Sequence, residues 1–183
     1  MSGRRGDWMQ TYTGRAFWPL DPREEEIDPL DIAHALSMLC RYGGHVRRFY
    51  SVAEHCVLMS HAVPPEHALW ALLHDATEAY MVDLPRPIKR HMREYRVAEN
   101  RLMESVCARF GLERYGFAGE MPASVKDADN RILLDERAAL LGPCELRWNA
   151  ELEALPLLGV KIHGWSPRRA ERKYLARLNE LTR

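Results

Sequence analysis

An all-α fold follows from three observations: helix start and stop signals recur along the chain, apolar residues between them return at three- and four-residue spacing, and no stretch alternates clearly as a half-buried strand does. With 183 residues, 46% of them hydrophobic, the chain can bury one substantial core, and no Gly/Ser-rich or Pro-rich linker divides it. A single-domain helical bundle over residues 1–183 is therefore expected, with 1–27 a less regular N-terminal segment.

The elements follow in order. Asp28-Pro29-Leu30-Asp31 offers an N-cap, a proline at the first helical position and an acid in the first turn. Ile32, Leu36 and Leu39 continue it at helical spacing, and Gly43-Gly44 should stop it. Ser51-Val52-Ala53-Glu54 has the form of a capping box and opens a helix that runs to Pro64-Pro65, with His55 in its first turn. A third helix is expected over residues 65 to about 80, ahead of Pro85 and Pro87. Residues 93 to 110 are amphipathic, with Val97, Leu102, Val106 and Phe110 against charge and Gly111 as the stop. Another helix is expected from 122 to about 141, and Ser166-Pro167 should cap the last. Residues 157 to 162 give only a weak strand signal, and there is no internal repeat.

Composition removes several function classes. The 26 Lys and Arg balance 26 Asp and Glu, so no global field favours a nucleic-acid polymer or an anionic membrane. No run approaches the ~18 apolar residues of a membrane span, and the basic N-terminus lacks the apolar stretch of a secretion signal. Cys40, Cys56, Cys107 and Cys144 form no C-x-x-C pair and read as reduced core thiols. A cytoplasmic protein is expected.

Residues 68 to 89, ALWALLHDATEAYMVDLPRPIK, carry the chemistry. His74 and Asp75 interrupt an apolar run, and ionisable groups beside buried apolar surface are costly unless paired or bound to a metal. A His-Asp pair alone arises too readily by chance to carry weight. Spacing adds information: positions three and four apart share a helix face, so Glu78 lies over both His74 and Asp75, while Leu69, Leu72, Leu73 and Ala76 form core. Imidazole with carboxylate suits zinc, manganese, iron or cobalt better than calcium, and a catalytic site needs three or four such ligands. Another ligand should come from a different helix, and His55 is best placed. Asp127 or Asp129, within an amphipathic helix, could supply a further carboxylate.

These residues resemble the HD-domain metal-dependent phosphohydrolases, whose signature is a first His, a His-Asp pair and a distal Asp on separate helices. The resemblance covers roughly residues 28 to 180 and is closest to the small branch of 5'-deoxyribonucleotidases, phage dATP triphosphohydrolases and oxetanocin-type phosphohydrolases. SVAEHC places the first ligand at His55. The pattern HD-x-x-E-x-x-x-x-D-L-P-x-P-x-K matches His74, Asp75, Glu78, Asp83, Leu84, Pro85, Pro87 and Lys89 in order. In this family the distal Asp usually follows Ala, which selects Asp129 over Asp127. The family also places an Arg and an aromatic residue ahead of the first His; Arg41-Tyr42 fits, with Tyr where the nucleotidases have Trp and a spacing one residue short.

The resemblance implies one divalent metal ion (Mn, Co, Zn, Fe or Mg) on His55, His74, Asp75 and Asp129. It implies catalytic roles for Glu78 and Asp83, which the sequence does not separate, and substrate contacts from Arg41, Tyr42, His45 and Lys89. The expected activity is hydrolysis of a small-molecule nucleotide, a deoxynucleoside 5'-monophosphate or triphosphate, by water attack on phosphorus. A non-catalytic nucleotide-binding or interaction module with the same fold is the alternative, but it would be marked by a lost ligand, and no motif position is lost. A homo-oligomer is compatible with the sequence. Bland readings attach to the rest: His61, His67, His91 and His163 read as ordinary histidines, with His67, one heptad before His74, a reserve ligand. Arg47 and Arg48 read as either phosphate contacts or solvated side chains, and Trp18 as a packing anchor.

Overall fold

The computed structural model describes residues 3–112 and 120–183. Helix α1 (Pro29–Met38) begins as its sequence requires: the Asp28 carboxylate accepts the Leu30 amide at 2.9 Å, and Pro29 opens the first turn, where no N–H is needed. It ends at Met38, five residues before the glycines expected to stop it. Leu39 turns extended, Cys40 bridges Ser51 in antiparallel fashion, and the Arg41 amide donates to the Tyr50 carbonyl at 2.9 Å. Gly43 and Gly44 instead serve a tight turn over Arg41–Gly44.

Helix α2 (Val52–Ala62) starts where Ser51 Oγ accepts the Glu54 amide at 3.1 Å. The reciprocal half of the capping box is missing. Glu54 is fully buried and accepts instead from the amides of His163 at 2.7 Å, Gly164 at 3.0 Å and Trp165. Three donors offset the burial of a carboxylate better than one could. Gly164 is obligatory in that loop, because its φ is +70° and a Cβ would lie 3.1 Å from the Phe49 carbonyl oxygen.

The helix expected over residues 65 to 80 is broken into a 3-10 turn at Pro65–His67, α3 (Ala68–Leu73) and α4 (Glu78–Met81). Between α3 and α4 the chain tightens: the amides of Ala76, Glu78, Ala79 and Tyr80 donate three residues back. Carbonyls near the break are met by side chains, Ala71 by His74 Nδ1–H at 2.8 Å and Leu72 by the Tyr174 hydroxyl at 2.9 Å. The break is thus satisfied, and it falls at the His-Asp pair.

Helix α5 (Arg86–Lys89) is one turn, and α6 (Arg93–Phe110) ends at Gly111, whose φ of +65° supplies the expected left-handed stop. Val97 is 55% exposed, so the buried stripe of α6 is Leu102, Val106 and Cys107. Helices α7 (Ala123–Leu140), α8 (Ala150–Glu153) and α9 (Pro167–Leu181) complete the order; Ser166 precedes α9 without a side-chain cap, and α8 had no clear sequence signal. Residues 157 to 162 form no strand. The amides of 158, 159 and 160 are instead gathered by the Asp135 carboxylate.

The irregular N-terminal segment is anchored. Strands β1 (Met9–Gln10) and β2 (Ala16–Phe17) make a minimal hairpin, and the buried Phe17 stacks on Tyr80 at 4.1 Å. Trp18 lies under the Arg4 guanidinium, which Asp21 and Glu26 hold. The core is built where α1, α2 and α3 pack on α9 and α2 meets α7. Trp70, Leu72, Leu73, Leu36, Met59 and Tyr174 are buried there, each apolar side chain of this size contributing about 1.5–3 kcal/mol. No disulfide joins the described cysteines; Cys56 and Cys107 are buried, Cys40 is half-buried, and Cys144 is exposed, contrary to its expected place in the core. No helix among the described residues is long and apolar enough to cross a membrane.

Candidate functional site

Three elements bring ionisable side chains to one point: the first turn of α2, the break between α3 and α4, and the middle of α7. His55 Nε2 lies 3.2 Å from His74 Nε2, 3.5 Å from Asp129 Oδ1 and 3.7 Å from Asp75 Oδ2. His74 Nε2 is 3.2 Å from Asp75 Oδ2 and 4.0 Å from Asp129 Oδ1. All four residues that the sequence proposed as ligands therefore meet, from positions as far apart as 55 and 129. Asp127, the other candidate, pairs with Arg131 at 3.3 Å on an exposed face.

The tautomers can be argued from the partners. His74 Nδ1 faces the Ala71 carbonyl, which can only accept, and His55 Nδ1 faces the Glu136 carboxylate at 2.7 Å. Both Nδ1 atoms must donate. Two neutral imidazoles held this way would aim their Nε2 lone pairs at each other, beside two carboxylate oxygens, an arrangement that a metal ion relieves, as a proton on one ring does in its absence. Electrostatics agree. Burial alone would lower the His74 pKa, but Asp75 holds it well above its ordinary value. Burial would raise Asp75, but His74 and then His55 and Arg41 bring it down. Asp129, raised by burial, is brought to about 2 by its hydrogen bond to His55 and the charge of His74. The donor set His55, His74 and Asp129, with Asp75 beside it, is placed to hold a metal ion. Cys56, His74 and Asp75 form an overlapping group. Its geometry is weaker, because Cys56 Sγ faces the Nδ1 already given to Ala71.

A cleft of about 1120 Å³ opens over this cluster, a size that suits a small-molecule ligand. Glu78 and Asp83 line it with Arg41, Tyr42 and Lys89. Glu78 is buried, its Oε2 has no hydrogen-bond partner among the described residues, and burial, followed by the charges of Asp75 and Asp83, pushes its pKa well up. Asp83 follows Val82, a β-branched residue at φ +65°, so the backbone is strained where it delivers Asp83 to the cleft. The Tyr95 hydroxyl holds the Val82 carbonyl at 2.6 Å.

Arg41 is nearly buried, donating to Glu136 through Nε and Nη2 at 3.3 and 3.2 Å and to Asp75 through Nη1 at 3.4 Å. Tyr42 sits at φ +58° and donates its hydroxyl to Glu136 at 2.6 Å. Lys89 reaches the cleft wall with its ammonium held by Glu99 at 2.5 Å. His45 departs from expectation: the turn at Arg41–Gly44 directs the chain outward, leaving His45 exposed and outside the cleft lining. Arg47 and Arg48 also lie outside that lining, Arg48 donating to the Ile162 carbonyl at 3.0 Å. His67 bonds Ser124 at 2.7 Å and does not join the ligands.

The sequence reading missed Glu136, Arg86 and Trp148. Glu136 has a signal, since it falls one heptad after Asp129 and so on the same face of α7. Arg86 donates to Asp129 Oδ2 at 2.7 Å across the cleft. Trp148 lines the far wall and carries Arg137 against its ring at 4.8 Å; nothing local in its loop marked it.

No protein-family profile matches the chain. It is 36% identical over 176 residues to the uncharacterized protein YfdR of Escherichia coli K12, covering 96% of each chain. It is also 35% identical over 131 residues to an uncharacterized protein of Rhodobacter capsulatus, covering 66% of this chain and 64% of the relative. With a helical fold, a convergent His/Asp cluster and near full-length similarity to YfdR, the chain belongs to the YfdR family.

Proposed function

We propose that the chain is a metal-dependent phosphohydrolase of nucleotides, of the HD-domain type, acting on deoxynucleoside 5'-monophosphates or triphosphates. The observation that carries this reading is the pair of facing Nε2 atoms, 3.2 Å apart, with both Nδ1 atoms already spent and two carboxylates beside them. His55, His74, Asp75 and Asp129 would hold one divalent ion. Such an ion, when bound, supplies a Lewis acid for a phosphoryl oxygen and lowers the pKa of a water toward neutrality.

The chain's own groups divide the remaining work. Glu78, with its raised pKa and a buried Oε2 that has no partner among the described residues, is suited to take a proton from water or return one to the leaving oxygen. Asp83 lines the same cleft and would orient the water or share that proton. Arg41 and Lys89 offset phosphate charge, and Tyr42 borders the space for the sugar or base. The buried floor under the cluster keeps bulk water from the His ligands.

Incubating the protein with a panel of nucleoside mono-, di- and triphosphates and several divalent metals, then separating products by chromatography, tests the reading. Release of phosphate or tripolyphosphate that a chelator abolishes and manganese or cobalt restores is the expected result. Turnover that survives complete removal of metal, or no turnover with any metal and nucleotide of the panel, would contradict it.

A further inference from the structure

Glu136 is fully buried on α7, and its two oxygens face different halves of the site. Oε1 accepts the His55 Nδ1–H at 2.7 Å. Oε2 accepts the Tyr42 hydroxyl at 2.6 Å and the Arg41 guanidinium at 3.2 and 3.3 Å. The first contact points toward the candidate ligands; the others hold a turn that contains a non-glycine residue at φ +58° and lines the cleft. A tyrosine in that backbone conformation persists only where its surroundings hold it, and the Glu136 bond is such a hold.

Resting on the metal-dependent reading above, we propose that Glu136 is a positioning residue serving both halves of the site. It keeps His55 in the tautomer that leaves Nε2 free for a cation, and it keeps Arg41 and Tyr42 at the cleft for an anionic substrate. One carboxylate thereby sets cation affinity and phosphate affinity together.

An amide could not take the place of this carboxylate. A glutamine of the same shape has one acceptor and one donor group in place of two acceptors. With its oxygen toward His55, its NH2 meets the Arg41 donors. Turned over, its NH2 meets the His55 Nδ1–H, and the imidazole relieves that clash by carrying its proton on Nε2, where the ligand lone pair is needed. Either orientation serves one half of the site at the cost of the other. Only a carboxylate satisfies both.

The test uses the full chain stripped of metal. Calorimetric titration of Mn²⁺ alone, nitrogen-resolved NMR of the His55 ring, and titration of inorganic phosphate onto Mn²⁺-loaded protein are measured for wild type, Glu136→Gln and Tyr42→Phe. Glu136→Gln is expected to lower Mn²⁺ affinity about 10–100-fold, the range typical of losing a ligand's hydrogen-bond partner, and to weaken phosphate as well. Tyr42→Phe, which leaves the carboxylate and its bond to His55 in place, is expected to weaken phosphate while keeping Mn²⁺ affinity and the His55 signature. Metal-free wild type should show His55 protonated on Nδ1, a readout that stands even if Glu136→Gln fails to fold. A neutral Nε2–H tautomer there would overturn the inference. So would a folded Glu136→Gln chain that binds Mn²⁺ and phosphate as wild type does. A wild-type chain that takes up no Mn²⁺ instead overturns the reading of the site itself.

Discussion

Two buried glutamates, on α7 and α4, lie beside the same cluster, and their surroundings give them opposite characters. Glu136, on α7, receives donors from Arg41, Tyr42 and His55; burial pushes its pKa up, but Arg41 and then His55 outweigh this and bring it to about 2. Glu78, on α4, has Asp75 and Asp83 as neighbours and a buried Oε2 without a partner among the described residues, so burial and like charge both push it up. Similar burial thus leaves one carboxylate held as an anion and the other with its pKa pushed up. Donors and neighbouring charges, not residue type, decide which carboxylate serves as framework and which can take part in proton transfer.

The largest effect should come from removing the fixed anion altogether. Glu136→Ala leaves the nearly buried Arg41 guanidinium with Asp75 at 3.4 Å as its remaining carboxylate among the described residues, and it takes away the acceptor on His55 Nδ1. Breaking a buried pair in this way costs about 3–5 kcal/mol, measurable as a lower urea midpoint. Among the described residues Glu78 is no donor's partner, so Glu78→Ala should not lose stability in this way.

Turnover should reverse the ranking. Glu78→Gln is expected to retain metal and nucleotide affinity while turnover falls about 10²–10⁴-fold, the range of general acid-base help. A Glu78→Gln protein that arrives without metal would move Glu78 into the ligand set, and one with normal turnover would leave proton transfer to Asp83 or solvent.

A smaller effect sharpens the contrast through pH. The folded pKa of Glu78 lies above its ordinary 4.5. A carboxylate raised in the folded state favours folding fully while protonated in both states, below about 4.5, and that advantage declines as pH rises from there through the folded value. In metal-free protein, Glu78→Gln should therefore raise Tm relative to wild type at pH 7 to 8 and leave it nearly unchanged at pH 4. An equal shift at both pH values would show that Glu78 carries no folded-state charge penalty.

Much of this site was legible before the fold. The S-x-x-E start put His55 in a first turn, the HDATEAYMVDLP run carried His74, Asp75, Glu78 and Asp83, and Ala-Asp selected Asp129; the structure brings the four candidate ligands together. What was hidden depends on long-range partners. Glu54 was read as a local cap, yet its carboxylate meets amides more than a hundred residues away, which no local pattern reports. The helix over residues 65 to 80 looked continuous because its break is satisfied by Tyr174, from α9. His45 looked well placed by sequence proximity to Arg41, but Gly43 and Gly44 both take positive φ, and the chain turns away between them. Periodicity reads faces of helices; it does not read which side chain from a distant element completes a buried carboxylate.

The central claim, that His55, His74, Asp75 and Asp129 hold one divalent ion, is tested most directly by the stoichiometry of Mn²⁺ binding in Asp129→Ala and Asp127→Ala beside wild type. The two aspartates lie two residues apart on α7, but one faces the imidazoles at 3.5 Å and the other pairs with Arg131 on an exposed face. One ion per chain in wild type and in Asp127→Ala, with binding lost or severely weakened in Asp129→Ala, is the expected result. Undiminished binding in Asp129→Ala, or no binding in wild type, would contradict it.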